Sequence, residues 1–108
     1  MRFLNNDERF AGHFVQYHAA RGQGPLRIRR ELAEVGVGEA MIEQALAAVE
    51  DWPDRARDLR RRRFGGRPPS AWAEKARQAR FLQYRGFSTD HIRSALGSVP
   101  GTDFDDET

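Results

Sequence analysis

The side chains in this chain best suited to chemistry are arginines. Residues 60–63 are four arginines in succession, with Arg55, Arg57 and Arg67 nearby and Lys75, Arg77, Arg80 and Arg85 following. Arg27, Arg29 and Arg30 form a smaller upstream group. A guanidinium is permanently charged and presents a planar fork of donors, so it pairs bidentately with phosphate or carboxylate. Such clusters attract phosphate backbones or acidic protein surfaces, with steep salt dependence. Consecutive residues fan around a helix, so residues 60–63 cannot all face one partner, whereas Arg60 and Arg63 can share a face. Local ion pairing explains any single arginine, Asp58 with Arg62 being one i, i+4 example, and a GC-rich genome explains why Lys75 is the only lysine. Neither explains the clustering.

Catalytic chemistry has no comparable basis. His13, His18 and His91 make no metal-ligand spacing, and the first two are five apart, so they do not share a helix face as an i, i+4 pair would. With no cysteine, disulfides and thiolate metal sites are excluded. Gly22-Gln23-Gly24 lacks the GKS or GKT ending of a phosphate loop and follows no strand, so it reads as an inter-helix turn. The expectation is a non-enzyme with no catalytic residue, no metal and no cofactor.

The elements that must hold the arginines are helices. Residues 21–46 read as a helix pair joined by a glycine turn, and part of that stretch returns fifty positions later. RELAEVGVGEAMIEQAL (residues 30–46) aligns without a gap on RFLQYRGFSTDHIRSAL (residues 80–96), matching Arg30 with Arg80, Leu32 with Leu82, Gly36 with Gly86, Ile42 with Ile92, Ala45 with Ala95 and Leu46 with Leu96. The matches are core positions plus the glycine that ends a helix in the left-handed region, which argues for a true repeat.

Going along the chain, Asn5 caps the first helix with Glu8 closing a capping box, and Phe10, Phe14 and Tyr17 form an aromatic stripe read as core. Pro25 opens helix two, with Ile28, Leu32 and Val35 inward. Helix three runs from about Glu39 to Val49. Pro53 opens helix four, where Ala56 and Leu59 are apolar and Phe64 covers the end before Gly65-Gly66. Ser70 caps helix five, which carries Trp72, Ala76, Ala79 and Leu82 at helical spacing. Ser88 caps helix six, with Ile92, Ala95 and Leu96 facing the core. The fold class is all-α: tandem three-helix repeats, residues 1–50 and 51–97, in an elongated, curved molecule. Residues 98–108 read as a disordered acidic tail.

The 108 residues suffice for one modest domain or two small modules, and the hydrophobic fraction of 39% implies a thin core. No apolar run is long enough for a membrane span and no signal-peptide pattern opens the chain, so a cytoplasmic protein is expected. Formal net charge is only +2, because Asp103, Asp105, Asp106 and Glu107 offset a more basic body. A helix-turn-helix DNA reader is disfavoured, since Glu39, Glu43 and Glu50 would face the groove from helix three.

The chain resembles the RecX family, bacterial regulators of the RecA recombinase. The resemblance rests on Asp7-Glu8-Arg9-Phe10-Ala11, Arg21-Gly22, Gly24-Pro25, Arg27-Ile28, Glu31-Leu32, Gly36 and residues 42–46. Further on it rests on Phe64-Gly65, Lys75, Arg80-Phe81-Leu82, Arg85-Gly86-Phe87 and Asp90-His91-Ile92. That family has three tandem three-helix repeats, and this chain corresponds to the second and third. The resemblance implies a regulator that lies along the helical groove of the RecA filament on single-stranded DNA, inhibits ATP hydrolysis and strand exchange, and limits filament growth. Its place is recombination and DNA repair. From charge and position, Arg27, Arg30, Arg60, Arg63, Lys75, Arg77 and Arg80 are the expected contacts to RecA or DNA, while Gly24, Pro25, Gly36 and Gly86 are structural. Two alternatives are a non-specific single-stranded nucleic-acid-binding module and a helical interaction module with another partner. Self-association through paired exposed Trp52 and Trp72 is a further expectation, and the acidic tail is expected to compete for the basic face or to mimic nucleic acid.

Overall fold

The computed structural model describes residues 2–97, with side chains from Asp7 onward. Among the described residues it contains six α-helices and no strand: α1 (Arg2–Ala20), α2 (Pro25–Glu34), α3 (Glu39–Ala47), α4 (Trp52–Phe64), α5 (Trp72–Arg85) and α6 (Thr89–Leu96). Helices α1 to α3 pack on one another, as do α4 to α6, with α1 on α3 and α4 on α6 the most extensive pairings. The molecule measures 54 × 30 × 18 Å, so the all-α repeat is elongated.

The internal repeat is repeated in geometry. Gly36 and Gly86 take φ of 95° and 104°, a region glycine enters without steric cost. The amides of Gly36 and Gly86 donate to Ala33 and Gln83 at 3.0 Å, and those of Val37 and Phe87 donate to Leu32 and Leu82 at 3.1 Å. This is the Schellman cap, twice, with an apolar residue just past each glycine buried against its helix. Leu32 and Leu82 are both fully buried, and Ile42 and Ile92 both 3% exposed. Each such side chain contributes roughly 1.5–3 kcal/mol of burial. One hydrophobic cluster runs through both modules, from Ala11, Val15 and Ala19 of α1 to Ile92 and Leu96 of α6.

The modules are joined by backbone. Gly24 N–H donates to the Arg85 carbonyl at 2.8 Å and Leu26 N–H to the Gly86 carbonyl at 2.9 Å. Helix α2 begins at Pro25, so Leu26 carries one of the amides a helix start leaves unpaired; Arg85 and Gly86 offer carbonyls a helix end leaves unpaired. The positive end of α2 thereby meets the negative end of α5. The Arg85 guanidinium reaches the other way, donating to the carbonyls of Arg21 at 2.8 Å and Gly22 at 3.2 Å, beyond the end of α1. No side chain fits between the two backbones at this contact. A Cβ on Gly24 would lie 2.4 Å from the Gly86 carbonyl carbon, and one on Gly86 would lie 2.4 Å from Arg27 Cβ.

Several local expectations are corrected. Helix α1 passes through Asn5 without a break, so no cap forms there. Its core face is Ala11, Val15 and Ala19, while Phe10 and Tyr17 are 45% and 55% exposed and Phe14 is half-buried. The aromatic stripe is offset from the buried one because α1 packs through its small residues. Val35 is exposed because α2 ends before it and it serves as C-cap. Helix α5 starts at Trp72 without a Ser70 cap, and Trp72 is exposed. Trp52, by contrast, is buried. A paired Trp52–Trp72 surface for self-association therefore does not exist. Asp58 pairs with Arg61 at 3.8 Å rather than with Arg62. The Ser88 cap is present: Ser88 Oγ accepts from His91 N–H at 3.2 Å, and His91 Nδ1 accepts from Ser88 N–H at 3.4 Å. Burial holds the His91 pKa below its ordinary value, opposed by the Asp90 charge. The expectation for residues 98–108 lies outside the described residues.

The junction makes a stability contrast measurable by urea unfolding. Gly24→Ala forces backbone apart and is expected to lose about 2 kcal/mol or more. Gly12→Ala, inside α1 with no neighbouring atom within 4 Å of the new Cβ, is expected to gain up to about 1 kcal/mol from helix propensity.

Candidate functional site

Helix α5 sets out Arg77, Arg80, Phe81 and Tyr84 at i, i+3, i+4 and i+7, so they share one face. The last turn of α4 brings Arg63 and Phe64 against them, and these six with Gln83 line an open groove of about 560 Å³. Phe64 and Phe81 meet edge to face, with centroids 5.4 Å apart and rings at 90°. Arg63 lies over the Phe81 ring at 4.9 Å and Arg77 over Phe64 at 5.0 Å. Tyr84 is 75% exposed, and the Arg27 guanidinium lies 5.7 Å from its ring centre, so the first module reaches the groove edge. Beside this groove a second depression is lined by Arg62, Arg63, Leu59 and Phe81 of the second module, Ala20 and Arg21 of the first, and the junction residue Arg85. Arg21 covers the Tyr17 ring at 4.4 Å. Basic and aromatic groups therefore alternate across both modules.

The expected contact residues divide into distinct groups. Arg63 and Arg80 are exposed on the groove and make no hydrogen bond or ion pair among the described residues. Arg77 is on the groove too, but Glu74 holds it with bonds of 3.0 and 2.8 Å. That bond, with a second from Gln78, lowers the Glu74 pKa to about 2. Arg27 pairs with Glu31 at 3.1 Å, and Arg30 is exposed with no partner among the described residues. Lys75 precedes Arg77 by two residues and so projects about 200° away around the helix, beside Trp72 at 6.0 Å. The structure separates it from the groove.

Arg60 departs furthest from expectation. It is 5% exposed, and its guanidinium donates to Gln78 Oε1 at 3.3 Å and to the Gly65 and Gly66 carbonyls at 3.1 and 3.5 Å. Its charge is spent on the carbonyls just past α4, where a cation suits the helix dipole. Through Gln78, which donates to Glu74 at 2.9 Å, the same network reaches Arg77. Arg60 positions the groove and cannot touch a partner in it. Its burial follows from its register with Trp52 and Ala56 on α4, four residues apart. The four-residue spacing of Trp52, Ala56 and Arg60 is the sequence signal of that burial. The rings Phe81 and Tyr84, absent from the expected set, had the same helical spacing as Arg77 and Arg80.

Exposed Glu39 and Glu43 leave helix α3 acidic, with Glu43 paired to Arg29 and Glu50 exposed beyond the end of the helix. Among the described residues no three His, Asp or Glu side chains gather as a metal site, and no helix is long and apolar enough to cross a membrane. The division of the arginines is checked by thermal or urea unfolding. Arg60→Ala is expected to lose about 2 kcal/mol, from lost hydrogen bonds and packing, whereas Arg80→Ala is expected to stay within about 0.5 kcal/mol of the parent.

Two family models match this chain: the second three-helix domain of RecX over residues 6–46 and the third over residues 50–96. The regulatory protein RecX of Halorhodospira halophila is 45% identical over 105 residues, covering 96% of this chain and 63% of that protein. Its counterpart in Pseudomonas putida strain GB-1 is 42% identical over 104 residues, covering 95% of this chain and 65% of that protein. The RecX of Serratia proteamaculans is 40% identical over 90 residues. The chain thus spans less than two thirds of the length of these relatives. With both helical modules matched in order and the paired glycine caps in place, the chain belongs to the RecX family of regulatory proteins.

Proposed function

We propose that this chain binds the RecA filament on single-stranded DNA and inhibits its ATP hydrolysis, strand exchange and growth, acting as a regulator rather than an enzyme. The carrying observation is the groove where Arg63 and Arg80 stand unpaired beside exposed aromatic rings. Guanidinium groups suit phosphates or the carboxylates of a protein surface, and exposed rings suit bases or apolar side chains. On this reading residues 1–50 and 51–97 act as one rod, with Arg27 and Arg30 from the first module extending the surface that Arg63, Arg77 and Arg80 begin. Its place of action is the cytoplasm. Regulation follows if the rod binds one filament state better than another; the shift it achieves is limited by that difference in affinity.

A second reading is supported by the interleaving of arginine and aromatic groups: direct, sequence-independent binding of single-stranded nucleic acid, without RecA.

The filament reading is tested by ATP hydrolysis on preformed RecA filaments, with this chain well below the DNA concentration. Inhibition is expected, and Arg63→Glu with Arg80→Glu should raise the concentration needed by about tenfold or more, the equivalent of about 1.4 kcal/mol. Unchanged hydrolysis with the parent chain, together with salt-sensitive binding to naked single strands, would replace this reading by the second.

A further inference from the structure

The groove between α4 and α5 combines cationic rims with an aromatic floor, and one stretch of this chain has the matching chemistry. Residues 98–108 contain Asp103, Asp105, Asp106 and Glu107, no basic residue, and a single aromatic, Phe104, set among the carboxylates. Without those four carboxylates the formal net charge rises from +2 to +6. We propose that this C-terminal segment seats Phe104 on the groove floor, with its carboxylates on Arg63 and Arg80, and so competes with single-stranded nucleic acid for the groove.

Three observations support the pairing. Arg63 and Arg80 are exposed and lack an ion-pair partner among the described residues, although most other arginines of α4 and α5 have one. The groove presents Phe81 and the 75%-exposed Tyr84, apolar surface that a ring can cover. Length also permits it. Arg57 of α4 donates to Ser94 Oγ at 2.7 Å, which places the end of α6 beside the middle of α4. From there to Phe64 is about 10 Å along α4 at the helical rise. Phe104 follows Leu96 by eight residues, an extended reach of roughly 26 Å. A tether this short holds the segment at an effective concentration on the order of millimolar, so a weak intrinsic contact suffices.

The occupant is the chain's own segment rather than an acidic partner because charge, ring and tether come together in it. Nucleic acid offers the same groove phosphates and bases, so the two compete, and the competition weakens with salt because both depend on the same cations.

The test compares the full chain with a variant ending at Gly97, which keeps all six helices. In amide NMR spectra, removing the segment is expected to shift Phe81, Tyr84 and neighbouring groove amides. Adding a peptide of residues 98–108 to the shortened variant should restore the shifts. Affinity for a fluorescent oligothymidine is expected to rise about tenfold at low salt, with the gain shrinking as salt increases. Phe104→Ser, which leaves the charge unchanged, should produce part of that gain. Shifts confined to residues next to Gly97, or an oligothymidine affinity unaltered by the deletion, would overturn the proposal. Groove shifts that fade on dilution would overturn it too, by assigning the groove to the segment of a second copy. RecA takes no part in these measurements, so they stand whether or not the filament reading does.

Discussion

The structure depends on the approach of two glycines. At Gly24 and Gly86 the backbone of one module comes so near that of the other that neither tolerates a Cβ, and the space gained is used for hydrogen bonds. Helix termini make this productive. A helix start has amides without acceptors and a helix end has carbonyls without donors. Here α2 and α5 satisfy each other, and the Arg85 side chain extends the exchange to the carbonyls beyond α1. Three helix ends thus meet at one point, and each would carry a desolvation cost if buried there alone.

This junction has a functional consequence because the candidate surface crosses it. Arg21 and Tyr17 come from α1 and its end, Arg27 from α2, and the groove residues from α4 and α5. Arg85 belongs to both the joint and the second depression. If the modules moved independently, the arginines of the first would lose their register with those of the second. A partner with regularly spaced charge, such as a filament or a nucleic-acid strand, is read by a surface whose spacing is fixed in advance. The first module has the same capped glycine at Gly36, but no atom approaches it. The repeat supplies the cap twice, and within the described residues one copy is used as a joint.

Much of this was legible in sequence. The gapless match of residues 30–46 with 80–96 anticipates both Schellman caps, because leucine, glycine and the apolar residue after it are the requirements of that motif. Pro25 marks the start of α2 for an equally local reason. What escaped depends on which face turns inward. Phe10 and Tyr17 look more like core than Ala11, Val15 and Ala19, yet close helix packing in α1 selected the small residues. Arg60 looks like surface, but its register with Trp52 and Ala56 buries it, and the carbonyls past α4 accept its charge. Lys75 and Arg77 are neighbours in sequence and face apart in the helix. The aromatic floor of the groove is legible only from helical spacing, which puts Phe81 and Tyr84 on the face of Arg77 and Arg80, and charge alone does not reveal it.

Amide hydrogen exchange at the joint tests the central claim most directly. If the Gly24–Gly86 contact welds the modules into one unit, the amides of Gly24 and Leu26 exchange only through global unfolding, as slowly as core amides of Ile28 and Leu82. If they exchange much faster while those core amides stay protected, the modules part in the native state, and a surface continuous across them is not what a partner meets.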